Sequence, residues 1–198
     1  PDRPLYNVVY RDSNGRIRAS KRKESGSLDD LPFPEYDLEA LPVKASEVIL
    51  PLELGRGCPW GKCTFCPDRA YQIKCQSKTA GRVKAEIDHY QELSTELRNF
   101  FILDSDALKQ PQAILELPEH LKDKHLCFHF AEFRAERMNR DLISALLDFG
   151  TWVTPFQVGI ETFSDNVLRL MDKGVSALKN VEVLKMVAEM GIPLQFNL

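Results

Sequence analysis

Residues 53–75 read ELGRGCPWGKCTFCPDRAYQIKC and hold four of the five cysteines of the chain. Cys58, Cys63 and Cys66 fall within nine residues in a C-x4-C-x2-C spacing, and Cys75 follows nine residues later. Immediately before them, EVILPLEL (residues 47–54) is a short β-rich run with a proline near its centre. In parallel α/β folds the loops that leave the C-terminal ends of strands form the active face. A thiol-rich loop directly after the first such strand is therefore expected on that face.

The same strand-and-helix rhythm continues downstream. Ala80 to Phe100 carries Val83, Ile87, Tyr90, Leu93 and Leu97 at the spacing of one helix face. NFFILDS is a buried-type strand, and QPQAILELPEHL is a short helix expected to break near Pro118. HLCFHFAE is a third strand. NRDLISALLDFG has Asn139 as N-cap and Gly150 just past its end, the signals of a helix. TWVTPFQVGIE is a fourth strand, interrupted by Pro155. SDNVLRLMDKG and SALKNVEVLKMVAEMG each open on Ser and close on Gly as helices do, and IPLQFNL is a fifth strand. Five strands alternating with helices predict a parallel sheet with right-handed crossovers, an α/β fold forming a partial (β/α) barrel. The apolar last strand is expected to be an edge, with at least one further βα unit missing beyond it.

Residues 1–46 differ in character. Val8-Val9-Tyr10 and Ile17 flank Asn14-Gly15, a hairpin signal. The basic run from Arg16 to Lys23 reads as a solvated loop, and Pro32, Pro34 and Pro42 favour an extended linker. The chain divides accordingly into a connector with a small hairpin, residues 1–46, following an upstream domain, and a core at residues 47–198.

Composition bounds the function. At 43% hydrophobic and 28% charged residues, the sequence is that of a globular protein. The net charge of -3 gives no electrostatic footprint for nucleic acid. No apolar run approaches the ~20 residues of a membrane span, and PDRPLYNVVYRD is not a signal peptide. The expected location is the cytoplasm, where clumped thiols signal metal rather than disulfides.

Three thiolates from one loop suit three irons of a 4Fe–4S cube, leaving the fourth iron open unless a further Cys closes it. Full protein ligation marks structural metal and an open position marks catalytic metal, so the role of Cys75 decides between classes. The alternative is a four-Cys zinc site stapling a non-catalytic binding module. Against a fourth ligand, PDRAYQIK between Cys66 and Cys75 has no Gly to turn the chain back. Cys127, inside an apolar strand, reads as a small core residue.

RGCPWGKCTFC resembles the cluster loop of the radical S-adenosylmethionine (SAM) superfamily, whose commonest motif is C-x3-C-x2-C with an aromatic before the last Cys, here Phe65. The x4 spacing is of the kind found in its cobalamin-dependent branch. DDLPFPEYDL is similar to the linker between a cobalamin domain and the radical core in that branch, and VGIETFSDNVLRLMDKG with the helix and strand after it is similar to its fourth-to-fifth strand region. The resemblance is greatest to maturases of ribosomally made peptides, including C-methyltransferases. It implies that Cys58, Cys63 and Cys66 bind the cluster and that SAM chelates the remaining iron. Reductive cleavage of SAM to a 5′-deoxyadenosyl radical would follow, with cobalamin in the full-length protein, a reductant protein, and a peptide or small-molecule substrate. A radical SAM activity without cobalamin is the alternative within this class.

The resemblance further implies cofactor-binding roles for residues at the strand ends. Phe65 would lie beside the adenine. Asp104 and Asp106, with Ser105 between them, would face the SAM amino group, although the usual Gly-Gly-Glu is absent and helix capping explains the acids equally well. Arg134, next to Glu132, would hold the SAM carboxylate in a bidentate pair or only meet a neighbouring acid. Glu161 would contact the ribose. Asn197 lies on the last strand. His89, His120, His125 and His129 fit no cobalamin-ligand pattern, and Trp60, within the loop, is expected to pack under the cluster in preference to meeting a partner.

Overall fold

The structure, a computed structural model, describes residues 8–21, 26–71, 74–153 and 155–198. Part of the basic run expected at Arg16–Lys23 lies outside them. Strands β1 (Val9–Arg11) and β2 (Ile17–Ala19) form the antiparallel hairpin that Asn14-Gly15 predicts. The Asp12 carboxylate accepts from the N–H groups of Asn14 and Arg16 inside its turn. Residues 28–36 then lie against α2 (Ala80–Leu93): Leu28 is buried, Phe33 stacks on His89 at 5.0 Å, and Arg82 donates to the Leu31 carbonyl at 2.5 Å.

The main sheet is built from β3 (Ile49–Leu52), β6 (Asn99–Ile102), β7 (Cys127–Phe128), β8 (Glu132–Arg134), β9 (Thr151–Trp152), β10 (Phe156–Gly159) and β11 (Leu194–Phe196). Its lower half has the order β3-β6-β7-β9 and its upper half β8-β10-β11, with every neighbour parallel. The third and fourth strands of the sequence reading are each split, into β7 with β8 and β9 with β10. Pro155 lies in the second break, as the sequence predicts. Through the first break His129 N–H donates to the Phe100 carbonyl and Ile102 N–H to that of Phe130, so the chain stays in register while changing neighbours. The result is the five-strand partial parallel barrel expected from the sequence. A separate antiparallel pair, β4 (Gly55–Arg56) with β5 (Gln76–Ser77), embraces the cysteine loop and α1 (Pro67–Tyr71).

Two helices depart from expectation. α2 is capped by the Thr79 hydroxyl but ends at Leu93, because Ser94 turns to φ -161° and ψ 130°; Leu97 is buried from the turn beyond. α3 (Pro111–Leu121) runs through Pro118 instead of breaking there. Pro118 sits in its last turn, where a lost N–H bond costs little further helix. α4 (Arg140–Asp148) starts at Asn139, whose side chain accepts from Leu142 N–H as predicted. α5 (Asp165–Leu170) and α6 (Ala177–Glu189) follow, the latter capped by Ser176.

Strand parity separates two faces. Leu50, Leu52, Phe100, Ile102 and Phe128 are buried beneath the helices, while Ile49, Phe101 and Leu103 stay open on the concave face. Fully burying side chains of this size is worth about 1.5–3 kcal/mol each, which drives the helices onto the convex side. The concave face is left apolar and accessible, with Phe101 stacked on Phe130 at 4.8 Å. Among the described residues, no helix is long and apolar enough to cross a membrane.

Candidate active site

At the C-terminal edge of the sheet the cysteine loop closes over a cavity of about 220 Å³. Cys58, Cys63, Cys66 and Phe65 line it from above; Glu132, Arg134, Gln157, Glu161 and Asn197 line it from the strand ends. The expected trio and three of the expected cofactor residues (Phe65, Arg134 and Glu161) thus share one space. Cys63 is buried and Cys58 and Cys66 are half-buried. Among the described residues no three His, Cys, Asp or Glu side chains are gathered as the ligand set of a single metal ion. Soft thiols that border a common cavity suit one iron each of a polynuclear core.

The loop is held by the chain that follows α5. Thr64 N–H donates to the Met171 carbonyl at 2.9 Å, and Trp60 Nε1 donates to the Asp172 carbonyl at 2.6 Å. Gly174, at φ +75°, lies so close beneath Trp60 that a Cβ there would come within 2.5 Å of the indole. Trp60 is therefore packed, but against residues 172–174, more than a hundred residues away in the chain.

Glu161 adopts φ +65°, a left-handed conformation that costs a non-glycine residue about 1–2 kcal/mol. Its surroundings impose it. Glu161 N–H donates to the Asn197 carbonyl at 2.8 Å, and the Asn180 amide donates to the Ile160 and Thr162 carbonyls on either side. Lys173 Nζ meets Glu161 Oε1 at 2.8 Å. A Cβ at Gly159 would lie 2.8 Å from that ammonium and 3.0 Å from the carboxylate, so the pair would have to shift to admit a larger residue. Lys173 also stands 5.5 Å over the Phe65 ring. Sequence reasoning missed Lys173, which has no local signature beyond following a helix. Burial, then the nearby carboxylates Asp68 and Glu161, raise the pKa of Glu132 above the ordinary carboxylate range.

Asp104 and Asp106 do not line the cavity; Ser105 does. Asp104 accepts from Leu54 N–H at 2.8 Å and pairs with Lys109 Nζ at 2.8 Å, both side chains almost wholly buried. Asp106 accepts from Leu108 N–H at 3.2 Å and from Arg134 N–H, and faces Arg137 Nε at 3.3 Å. Desolvation pushes both carboxyls up to about 6 despite the cations beside them. These acids brace the cysteine loop and β8 from behind.

Cys75 is placed differently from the sequence expectation in one respect. β5 pairs Arg56 with Gln76, so the chain does return to the cysteine loop without a glycine, and Cys75 arrives one residue beyond that pair. Its thiol pKa is raised by desolvation, which outweighs the opposing charge of Lys109, with Cys58 adding to the rise. Cys75 is exposed and does not line the cavity.

An uncharacterized methyltransferase of Pyrococcus horikoshii is 27% identical over 197 residues, covering 95% of this chain and 41% of the relative. The 4'-phospho-dehydrooxetanocin synthase of Priestia megaterium is 21% identical, covering 96% of this chain and 28% of the relative. The chain thus spans less than half the length of either. The structure of the cobalamin-dependent S-adenosylmethionine radical enzyme OxsB, with aqua-cobalamin and S-adenosylmethionine bound, superposes with a TM-score of 0.75 over 98% of this chain and 29% of that one, at 19% identity, a likeness of fold. Residues 52–198 match the Radical SAM superfamily, and this chain belongs to it.

Proposed function

We propose that this chain is the SAM-cleaving core of a cobalamin-dependent radical SAM methyltransferase that modifies a peptide or a small molecule. The observation that carries the reading is the meeting of Cys58, Cys63, Cys66 and Phe65 with Glu132, Glu161 and Asn197 around one cavity. Cys58, Cys63 and Cys66 would hold a 4Fe–4S cluster. When bound, cluster and SAM supply one-electron reductive cleavage of the sulfonium, the electron coming from a reductant protein. Phe65 offers its half-exposed ring to the adenine. Glu161, with its backbone held in an unfavourable conformation and its carboxylate oriented by Lys173, is poised to accept from the ribose hydroxyls; strain kept in place at a cavity is a mark of a functional site. Ser105, between the two bracing acids, takes the place proposed for Asp104 and Asp106 at the SAM amino group.

The open apolar strip of Ile49, Phe101 and Leu103 on the concave face supports binding of a large, partly apolar partner beneath the SAM cavity. Cobalamin, carried by a domain upstream of a connector at residues 1–46, suits it, in keeping with the cobalamin-dependent enzyme of like fold. Core and connector would meet near residue 47.

The experiment is anaerobic incubation of the reconstituted full-length protein with SAM and dithionite, followed by chromatography. The expected products are 5′-deoxyadenosine or, on methyl transfer, S-adenosylhomocysteine. Failure to bind or consume SAM, with iron and sulfide present, overturns the reading.

A further inference from the structure

Arg134 is 5% exposed, and each of its three guanidinium nitrogens has a protein partner. Nε pairs with Glu136, Nη2 donates to the Lys173 carbonyl at 2.6 Å, and Nη1 donates to Cys63 Sγ at 3.5 Å. The Trp60 ring lies 5.8 Å from the guanidinium carbon. A side chain that is to clamp an incoming carboxylate presents two parallel N–H groups to open space. Here one N–H on each nitrogen, three of the five, is committed to an acid, a backbone carbonyl and a thiol.

We propose that Arg134 is a positioning residue for the Cys63 thiolate, setting the reduction potential of the cluster that the thiolate holds, and is not the clamp for the SAM carboxylate. The inference rests on the cluster reading above. Its physical basis is that a charge-assisted N–H···S bond withdraws density from the thiolate and favours the more negative, reduced state. Glu136 opposes it: its carboxylate partly neutralises the guanidinium from the far side. Three separate elements converge to keep that donor in place, namely the cysteine loop, the end of β8 and the turn after α5.

Two substitutions of opposite sign test this by redox titration of the reconstituted full-length protein without SAM, with SAM affinity measured alongside by equilibrium dialysis. Arg134→Gln is expected to lower the potential, with about a tenfold fall in the one-electron equilibrium constant, about 59 mV. Glu136→Gln is expected to raise it. Both should keep the SAM dissociation constant within about twofold of wild type. A tenfold loss of SAM affinity in Arg134→Gln at unchanged potential overturns the inference in favour of a carboxylate clamp. Unchanged potential in both variants, or in Glu136→Gln alone where Arg134→Gln fails to fold, overturns it in favour of packing. A wild-type protein that assembles no cluster fails the cluster reading itself, which iron and sulfide analysis shows before any titration.

Discussion

Asp104→Ala is expected to destabilise the protein by about 3–5 kcal/mol, because it leaves the Lys109 ammonium buried without its counter-charge. It also leaves Leu54 N–H without the carboxylate that holds the end of the first core strand. Urea denaturation measures the loss. The double variant Asp104→Leu, Lys109→Met should recover most of it, since a buried pair replaced by apolar groups of similar volume is near neutral. A single variant as stable as wild type contradicts the bracing role. The same carboxylate, with Asp106, has a pH signature. Both pKa values are raised in the folded state, to about 6, so the folded chain binds more protons than the unfolded one between about pH 4 and 6. Their contribution to stability is therefore full below the unfolded pKa and is lost as pH rises through about 6.

Gly174→Val is expected to unseat the cysteine loop. Its Cβ would meet the Trp60 ring at 2.5 Å, and φ +75° is a conformation that a β-branched residue resists. Left-handed strain of about 1–2 kcal/mol and overpacking of about 1–3 kcal/mol together predict a loss of about 2–5 kcal/mol. The more specific effect is on the loop: Trp60 cannot keep its bond to the Asp172 carbonyl, and iron content after reconstitution should fall well below wild type. A variant with full iron content shows that the loop holds its shape without this seat.

The parts of this molecule that were legible in its sequence are those with local signatures. Five strand-and-helix runs were legible because periodicity and capping are local, as at Asn139 and Ser176. The spacing of Cys58, Cys63 and Cys66 marked them as a group, and they line one cavity. What escaped depends on contacts distant in sequence. The return of Cys75 follows from Arg56 pairing with Gln76, and no residue type between them announces it. The inward turn of Asp104 and Asp106 follows from strand parity: they continue the buried side of Phe100 and Ile102, while Ser105 continues the open side of Phe101 and Leu103. Parity was available in the sequence, but with apolar residues on both faces nothing said which one met the cavity. The commitments of Arg134 and the presence of Lys173 depend on the turn after α5 folding back onto the loop, a contact spanning about forty residues for Arg134.

The most direct measurement of the central claim is iron, sulfide and zinc content after anaerobic reconstitution of wild type, Cys63→Ala and Cys75→Ala, with the EPR spectrum of the reduced proteins recorded before and after adding SAM. Four irons and four sulfides per chain are predicted for wild type and for Cys75→Ala, with a spectrum that shifts on adding SAM, and loss or degradation of the cluster for Cys63→Ala. A single tightly held zinc, or loss of metal in Cys75→Ala as complete as in Cys63→Ala, would contradict it and make the site structural.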